Sequence, residues 1–380
     1  MTCAGLVRLL PVILVWAIYS SAAGLEFSDE ERALIALHGP WPAPTAGDSS
    51  NRVSENPVAI RLGEALFFDH ELGIDSAFSC ASCHDPGKAF TDGLVTGQGR
   101  APLHRNTPTL LNLKGNRWFG WGGENDSLWA QSIRPILHAD EMANHPSHVR
   151  EMMSSRARYR DWYREAFSRS VQDDSDEAVL VNVGKALAAY QETLVSKPAP
   201  FDAFRDALLA DDRAAMARYP ESAQRGLKIF IGRGRCNLCH LGPRFSSGEF
   251  SDVGIEYFTD DGVDAGRYHG IREMRENPYN LSGRYNDGDA DSNAISSRQV
   301  RLSHSNWGEF KIPGLRDVAQ TAPYMHNGSL PDLRAVVNHY SNLDEERLHS
   351  DGEKILRPLQ LSDSEVEDLV RFLESLGESY

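Results

Sequence analysis

Two short stretches constrain this chain more than any others: Cys80-Ala81-Ser82-Cys83-His84 and Cys236-Asn237-Leu238-Cys239-His240. Each reads C-x-x-C-H, the attachment pattern of a c-type haem. The two sulfurs bond the vinyl groups of the macrocycle, and the next histidine reaches the iron as its proximal ligand. A chain with two such motifs has to fold around two large, mostly apolar plates. The bland alternatives are a redox dithiol, or a zinc site shared between the two pairs. Neither needs a histidine at the fifth place twice. The chain has five cysteines. Four stand in the motifs and Cys3 stands in the leader, so none remains for a structural disulfide.

The leader agrees with this reading. Arg8 closes a basic start, an apolar run follows from Leu9 to Ile18, and Ser20-Ser21-Ala22-Ala23 offers small residues for cleavage. This predicts a signal peptide over 1–23 and export to the periplasm, where haem c is attached. Pro11 interrupts the run, which is short for a membrane span, and no membrane span is expected after cleavage. The formal charge of −15 argues against nucleic acid and favours neutral or basic partners.

Helical periodicity is expected over 28–37, 59–68, 127–137, 146–153, 159–167, 177–194, 222–230, 331–340 and 362–376, with almost no strand-like alternation. The fold is expected to be all-α with long loops, made of two cytochrome-c-like domains that each hold one covalent haem. Ser196-Lys197-Pro198-Ala199-Pro200 breaks the pattern. It sets an N-terminal domain at 24–200 and a C-terminal domain at 201–380. Residues 258–308 read as a long irregular loop, with Asp287, Asp289 and Asp291 as solvated charge. A weak repeat supports duplication. Gly63-Glu64-Ala65-Leu66-Phe67 and Gly226-Leu227-Lys228-Ile229-Phe230 precede the motifs, and Phe90-Thr91-Asp92 and Phe250-Ser251-Asp252 follow them.

Beyond the haem motifs, several ordered segments resemble the bacterial di-haem cytochrome c peroxidases and their MauG-type relatives, from about residue 58 to the end of the chain. These are the run from Trp121 to Ile136, the pair Arg105-Asn106, and Thr321-Ala322-Pro323-Tyr324-Met325-His326-Asn327-Gly328. The resemblance implies a peroxidatic haem in the N-terminal half and an electron-transfer haem in the other, with His84 and His240 as proximal ligands. Trp121 becomes the residue between the haems, although Gly122-Gly123-Glu124 stands where the family often has Asp-Gly-Arg. Gln131, Pro135 and Glu141 line the distal side of the first haem. Glu141 is the acid/base group that moves a proton between the two peroxide oxygens. Asn106, with Thr321 and Pro323 through their carbonyls, becomes a calcium site of oxygen donors.

Two positions bear on which kind of member this is. The loop from Gly97 to Asn106 has no histidine where peroxidases often carry one that blocks the first iron. His104, immediately before Arg105-Asn106, is the remaining candidate blocker. Tyr340 stands where a distal methionine is usual on the second haem, as in the MauG type, with His339 and Met325 as rival ligands. The resemblance therefore implies an enzyme with two haem c groups and a calcium ion. It reduces hydrogen peroxide with electrons from a small cytochrome c or cupredoxin. The alternatives are a MauG-like enzyme that oxidises Trp or Tyr side chains of a partner protein, and a non-catalytic di-haem electron carrier. Members are often dimers, so a homodimer is one expected assembly.

Overall fold

The computed structural model describes residues 25–259, 262–352 and 355–378. The leader expected over 1–23, with Cys3, lies outside them. Helices dominate. The strands among the described residues are two-residue pieces in two antiparallel ladders, Phe250–Ser251 with Phe310–Lys311 and Phe258–Thr259 with Gly262–Val263.

Helix starts follow the local chemistry. Helix α1 (Asp29–Ala36) opens with a capping box between Ser28 and Glu31. Asn56 caps α2 (Pro57–Phe67), whose first turn takes the proline, and Ser127 caps α3 (Leu128–Leu137). Side-chain oxygens here accept the N–H groups that a helix start leaves without partners. Helices α4 (Pro146–Ser155) and α5 (Ala157–Phe167) lead into α6 (Asp176–Gln191). Helix α6 is apolar and buried on nearly every face, so it sits at the centre of the first core. Leu62, Leu66, Trp129 and Ile133 pack around it.

A second core forms around α7 (Pro200–Leu209), α8 (Glu221–Ile231), α10 (Leu333–Ser341) and α11 (Asp363–Glu374). Phe201, Phe204, Phe230, Phe245 and Phe372 make its aromatic centre. The cores exchange segments. Phe27 and Ile35 from the N-terminal lead-in pack in the second core, and Tyr279, Leu281 and Ala294 pack in the first.

The repeat ahead of the motifs has a packing reason. A Cβ at Gly63 would lie 2.0 Å from the Ala186 carbonyl oxygen on α6, and one at Gly226 would lie 2.0 Å from the Asp368 carbonyl oxygen on α11. In each half a glycine lets the helix before the haem motif touch the backbone of its partner helix.

Residues 192–199 lie outside any helix between α6 and α7, and Pro200 opens α7, where proline suits the first helical turn. Two expectations change. The stretch 258–308 contains helix α9 (Arg267–Glu276). Its arginines and glutamates hide the short apolar face made by Ile271 and Met274. Asp287 is not solvated charge. Its carboxylate accepts from Arg52 Nη1 (2.7 Å), the Arg52 backbone N–H (2.8 Å) and buried Lys185 Nζ (2.6 Å), which clamps this loop onto α6. Asp289 caps a short helix and Asp291 pairs with Arg298 at 2.8 Å.

Candidate active site

Both C-x-x-C-H motifs begin in a single helical turn, Cys80–Cys83 and Cys236–Leu238, and the histidine follows within a residue or two. His84 Nδ1–H donates to the Phe90 carbonyl at 3.0 Å, and His240 Nδ1–H donates to the Phe245 carbonyl at 2.9 Å. An acceptor at Nδ1 puts the ring proton there and leaves Nε2 as the ligand atom. The carbonyls are aimed by left-handed backbone, with φ of 58° at Phe90 and 55° at Phe245. Phe90 and Phe245 are therefore the corresponding residues. Phe250-Ser251, matched to Phe90-Thr91 in the sequence, is instead a strand paired with Phe310–Lys311, because a fully extended segment cannot fold its carbonyl back onto the histidine.

Burial pulls the pKa of both histidines below the usual imidazole value, which favours the neutral ring that a metal needs. Burial pushes the Cys80 and Cys236 thiols up to about 12, and Cys83 up to about 11. A catalytic dithiol or a zinc thiolate needs the opposite shift. The four sulfurs suit thioether formation better than thiolate chemistry.

His84, His240, Cys83, Cys236 and Cys239 line a cavity of about 1130 Å³. Trp121, Gln131, Pro135, Glu141 and Tyr340 line it too, as do Asn106, Thr321, Pro323 and His104. Every site residue named from the sequence except Cys80 and the rival ligand His339 thus borders the same space. Cys80 lies just behind it, with its thiol close enough to feel the charges of Cys83 and Glu141.

The walls facing the two histidines differ. On the His84 side, helix α3 presents Gln131, Arg134 and Pro135. Arg134 Nη1 donates to Glu141 at 2.7 Å, and Asn125 Nδ2 donates to Gln131 Oε1 at 2.8 Å. The Glu141 charge acts on Cys83 and His84, so this pair stands near the first motif. On the His240 side, α10 presents Leu333, Val336, Val337 and Tyr340. Burial, then the neighbouring Cys236 and Cys239, pushes the Tyr340 phenol above its usual range. His339 points elsewhere, bonding the Val253 carbonyl through Nε2 at 2.7 Å. Met325 borders the cavity.

The middle of the cavity joins the halves. Trp121 Nε1–H donates to the Asn106 carbonyl (2.8 Å), and the Asn106 N–H donates to the His326 carbonyl (2.7 Å). Arg105 bonds Asp264 through Nε (2.6 Å) and Nη2 (2.7 Å) and also grips Glu124. Glu124, where the sequence departs from the family pattern, is thus a buried counter-charge for Arg105.

Sequence reading missed the basic wall. Arg244 bonds the carbonyls of Lys114 (2.6 Å) and Gly115 (3.3 Å), and Lys311 bonds that of Trp118 (3.2 Å). Burial lowers both, Lys311 to about 8. Half-buried cations with no carboxylate partner among the described residues fit a ligand that brings its own carboxylates, as haem does. The available signal was a basic residue inside each of two apolar runs, Arg244-Phe245 and Lys311-Ile312-Pro313.

Comparison with known proteins agrees with this geometry. Residues 57–208 match the family model described as di-haem cytochrome c peroxidase. The methylamine utilization protein MauG of Methylorubrum extorquens is 33% identical, over 97% of this chain and 95% of its own. The cytochrome c551 peroxidase of Pseudomonas aeruginosa is 30% identical, over 90% of this chain and 84% of its own. The crystal structure of the diheme peroxidase BthA from Burkholderia thailandensis shares the fold, with a TM-score of 0.65 at 22% identity over 89% of this chain and 92% of that one. The chain belongs to the di-haem cytochrome c peroxidase and MauG family.

Proposed function

We propose that this protein is a di-haem c-type peroxidase that reduces hydrogen peroxide on the His84 side of the cavity, using electrons from a protein donor that enter on the His240 side. One observation carries the reading. A single cavity has a proximal-type histidine in each half, but a carboxylate–guanidinium pair stands near the first and a half-buried tyrosine near the second. Covalent haem at each motif would supply the redox chemistry. His84 and His240 would hold it through Nε2, and Arg244 and Lys311 would pair with its carboxylates.

Glu141 takes the proton from the peroxide oxygen that binds and returns it to the oxygen that leaves. Arg134 orients that carboxylate. Pro135 keeps the wall apolar, and Gln131, pinned by Asn125, offers a fixed amide. Trp121 borders the space between the halves, and Tyr340 would hold the second haem through its phenol oxygen. Calcium is supported at Asn106, Thr321 and Pro323. The Asn106 amide nitrogen is taken by the carbonyls of Leu94 (2.8 Å) and Val95 (3.3 Å), which turns its oxygen away from them. The haem domains are taken as 24–200 and 201–380, with the exchanged segments tying one to the other. Export to the periplasm rests on the leader.

Steady-state turnover of peroxide with a reduced small cytochrome c tests the proposal. Wild-type protein is expected to turn over and Glu141→Gln to lose most of that activity. Equal rates in the two would end the proposal. A second reading, a MauG-like enzyme that oxidises aromatic side chains of a partner protein, is favoured by Tyr340 and by the absence of a histidine earlier in the loop from Gly97 to Asn106. It prevails if peroxide is consumed with no cytochrome oxidised and a partner's Trp or Tyr is found modified by mass spectrometry. Two six-coordinate haems with no peroxide reaction would leave only an electron carrier.

A further inference from the structure

We propose that His304, His349 and Asp351 form a binding site for one borderline divalent transition ion such as Zn²⁺, separate from the haem cavity. One nitrogen from each histidine and one Asp351 oxygen lie within 4.8 Å of one another. His304 Nδ1 is already 3.2 Å from Asp351 Oδ2, and the two imidazole rings lie 4.9 Å apart, centre to centre. The residues come from two segments distant in sequence. His304 opens a short helical turn capped by Ser303, whereas His349 and Asp351 share the turn closed by the Gly352 N–H on the His349 carbonyl (3.0 Å).

Two imidazoles and one carboxylate select zinc-like ions over calcium or magnesium, which favour oxygen-only sets. His304 and Asp351 are solvent-exposed, 72% and 62% at the side chain. An ion can therefore enter without opening the fold, and water can fill a fourth position. Its scaffold is partly built. The His349 backbone N–H donates to Asp252 Oδ2 at 2.6 Å, and Asp252 Oδ1 accepts from the Gly254 N–H at 2.8 Å. A 3.3 Å bond from the Asp351 N–H to His349 Nδ1 is the weak contact that the ion displaces or bypasses.

The position gives the ion a consequence. Residues 342–352 follow α10, which carries Tyr340, and Ile355 to Leu359, which precede α11, line the His240 half of the cavity. The Leu359 N–H donates to the Tyr340 carbonyl at 3.2 Å. An ion on these three ligands fastens the segment after α10 to the 304 turn. It stiffens the cover of the second half without touching the haem motifs.

The test titrates ZnCl₂ into the haem-loaded protein, stripped with a chelator and resupplied with calcium, by isothermal calorimetry. One saturable site is expected in wild-type protein. His304→Ala and His349→Ala should each weaken it at least about tenfold, while His145→Ala, which alters another surface histidine pair, leaves it unchanged. The haem absorption spectrum reports that every variant is folded. Trypsin provides a second readout, since zinc should slow cleavage after Arg347 and Arg357 in wild type but not in His349→Ala. No saturable site in wild type, or undiminished affinity in His349→Ala, overturns the proposal. Binding without protection from trypsin overturns the fastening role.

Discussion

The two haem-motif halves share one scaffold and differ in one wall. In both, a helix bearing a glycine crosses a partner helix at backbone contact, a single turn presents two sulfurs, and a phenylalanine in left-handed conformation gives its carbonyl to the histidine. The opposite walls diverge. The first offers Glu141, Arg134 and Gln131, whereas the second offers Tyr340 among Leu333, Val336 and Val337. The histidine is thus held in the same way in both halves, and what distinguishes the halves comes from residues in another part of the chain.

Breaking the charged wall should have the largest effect. Glu141→Gln keeps the shape and removes the proton acceptor, so peroxide turnover should fall about 10²–10⁴-fold, the usual worth of a positioned acid/base group. The absorption of the second haem should stay unchanged. A change in both haems would mean that the walls are not independent.

The second half alone has a histidine behind its phenylalanine. His38 is fully buried, stacks on Phe245 at 4.4 Å and bonds the Gly242 carbonyl through Nδ1 at 3.1 Å. Burial lowers its pKa from 6.5 to about 4. Between these values the unfolded chain holds more protons than the folded one. This part of the stability is complete above about pH 6.5 and is lost as pH falls towards 4, by up to about 1.4 kcal/mol per pH unit. Urea unfolding at several pH values should show a shallower dependence in His38→Phe, which retains the stack. Identical slopes would refute the assignment.

The shared scaffold predicts matched costs. Gly63→Ala and Gly226→Ala should each destabilise by about 1–3 kcal/mol, as overpacked contacts do, with the same sign and similar size by chemical denaturation. A neutral result at one position would show that the helix crossings are not equivalent.

The smallest effect should come from the positioning residues. Arg134→Lys keeps a charge but loses the planar donor on Glu141, and a modest fall in kcat, well short of that in Glu141→Gln, is expected. A loss as large as that of Glu141→Gln would make Arg134 itself a partner of the peroxide.

Much of this molecule was legible in one dimension wherever the physics is local. Capping boxes at Ser28 and Ser362 mark helix starts, and the fixed C-x-x-C-H spacing marks the cofactor. Helix α9 escaped because its charged residues outnumber its buried ones, and Asp287 escaped because its partners, Arg52 and Lys185, are distant in sequence. The sequence by itself determined the chemistry available: four cysteines and two histidines at haem spacing, a carboxylate after an α3 proline, and a tyrosine near the end of α10. Only the tertiary structure decided which of these face one another. Phe245 rather than Phe250 orients His240, His339 turns to Val253 while Tyr340 lines the cavity, and Arg244 and Lys311 form its basic wall. The physical reason is that a hydrogen bond or charge contact is set by three-dimensional distance and direction, and a period or spacing along the chain encodes neither once the partners lie in different halves.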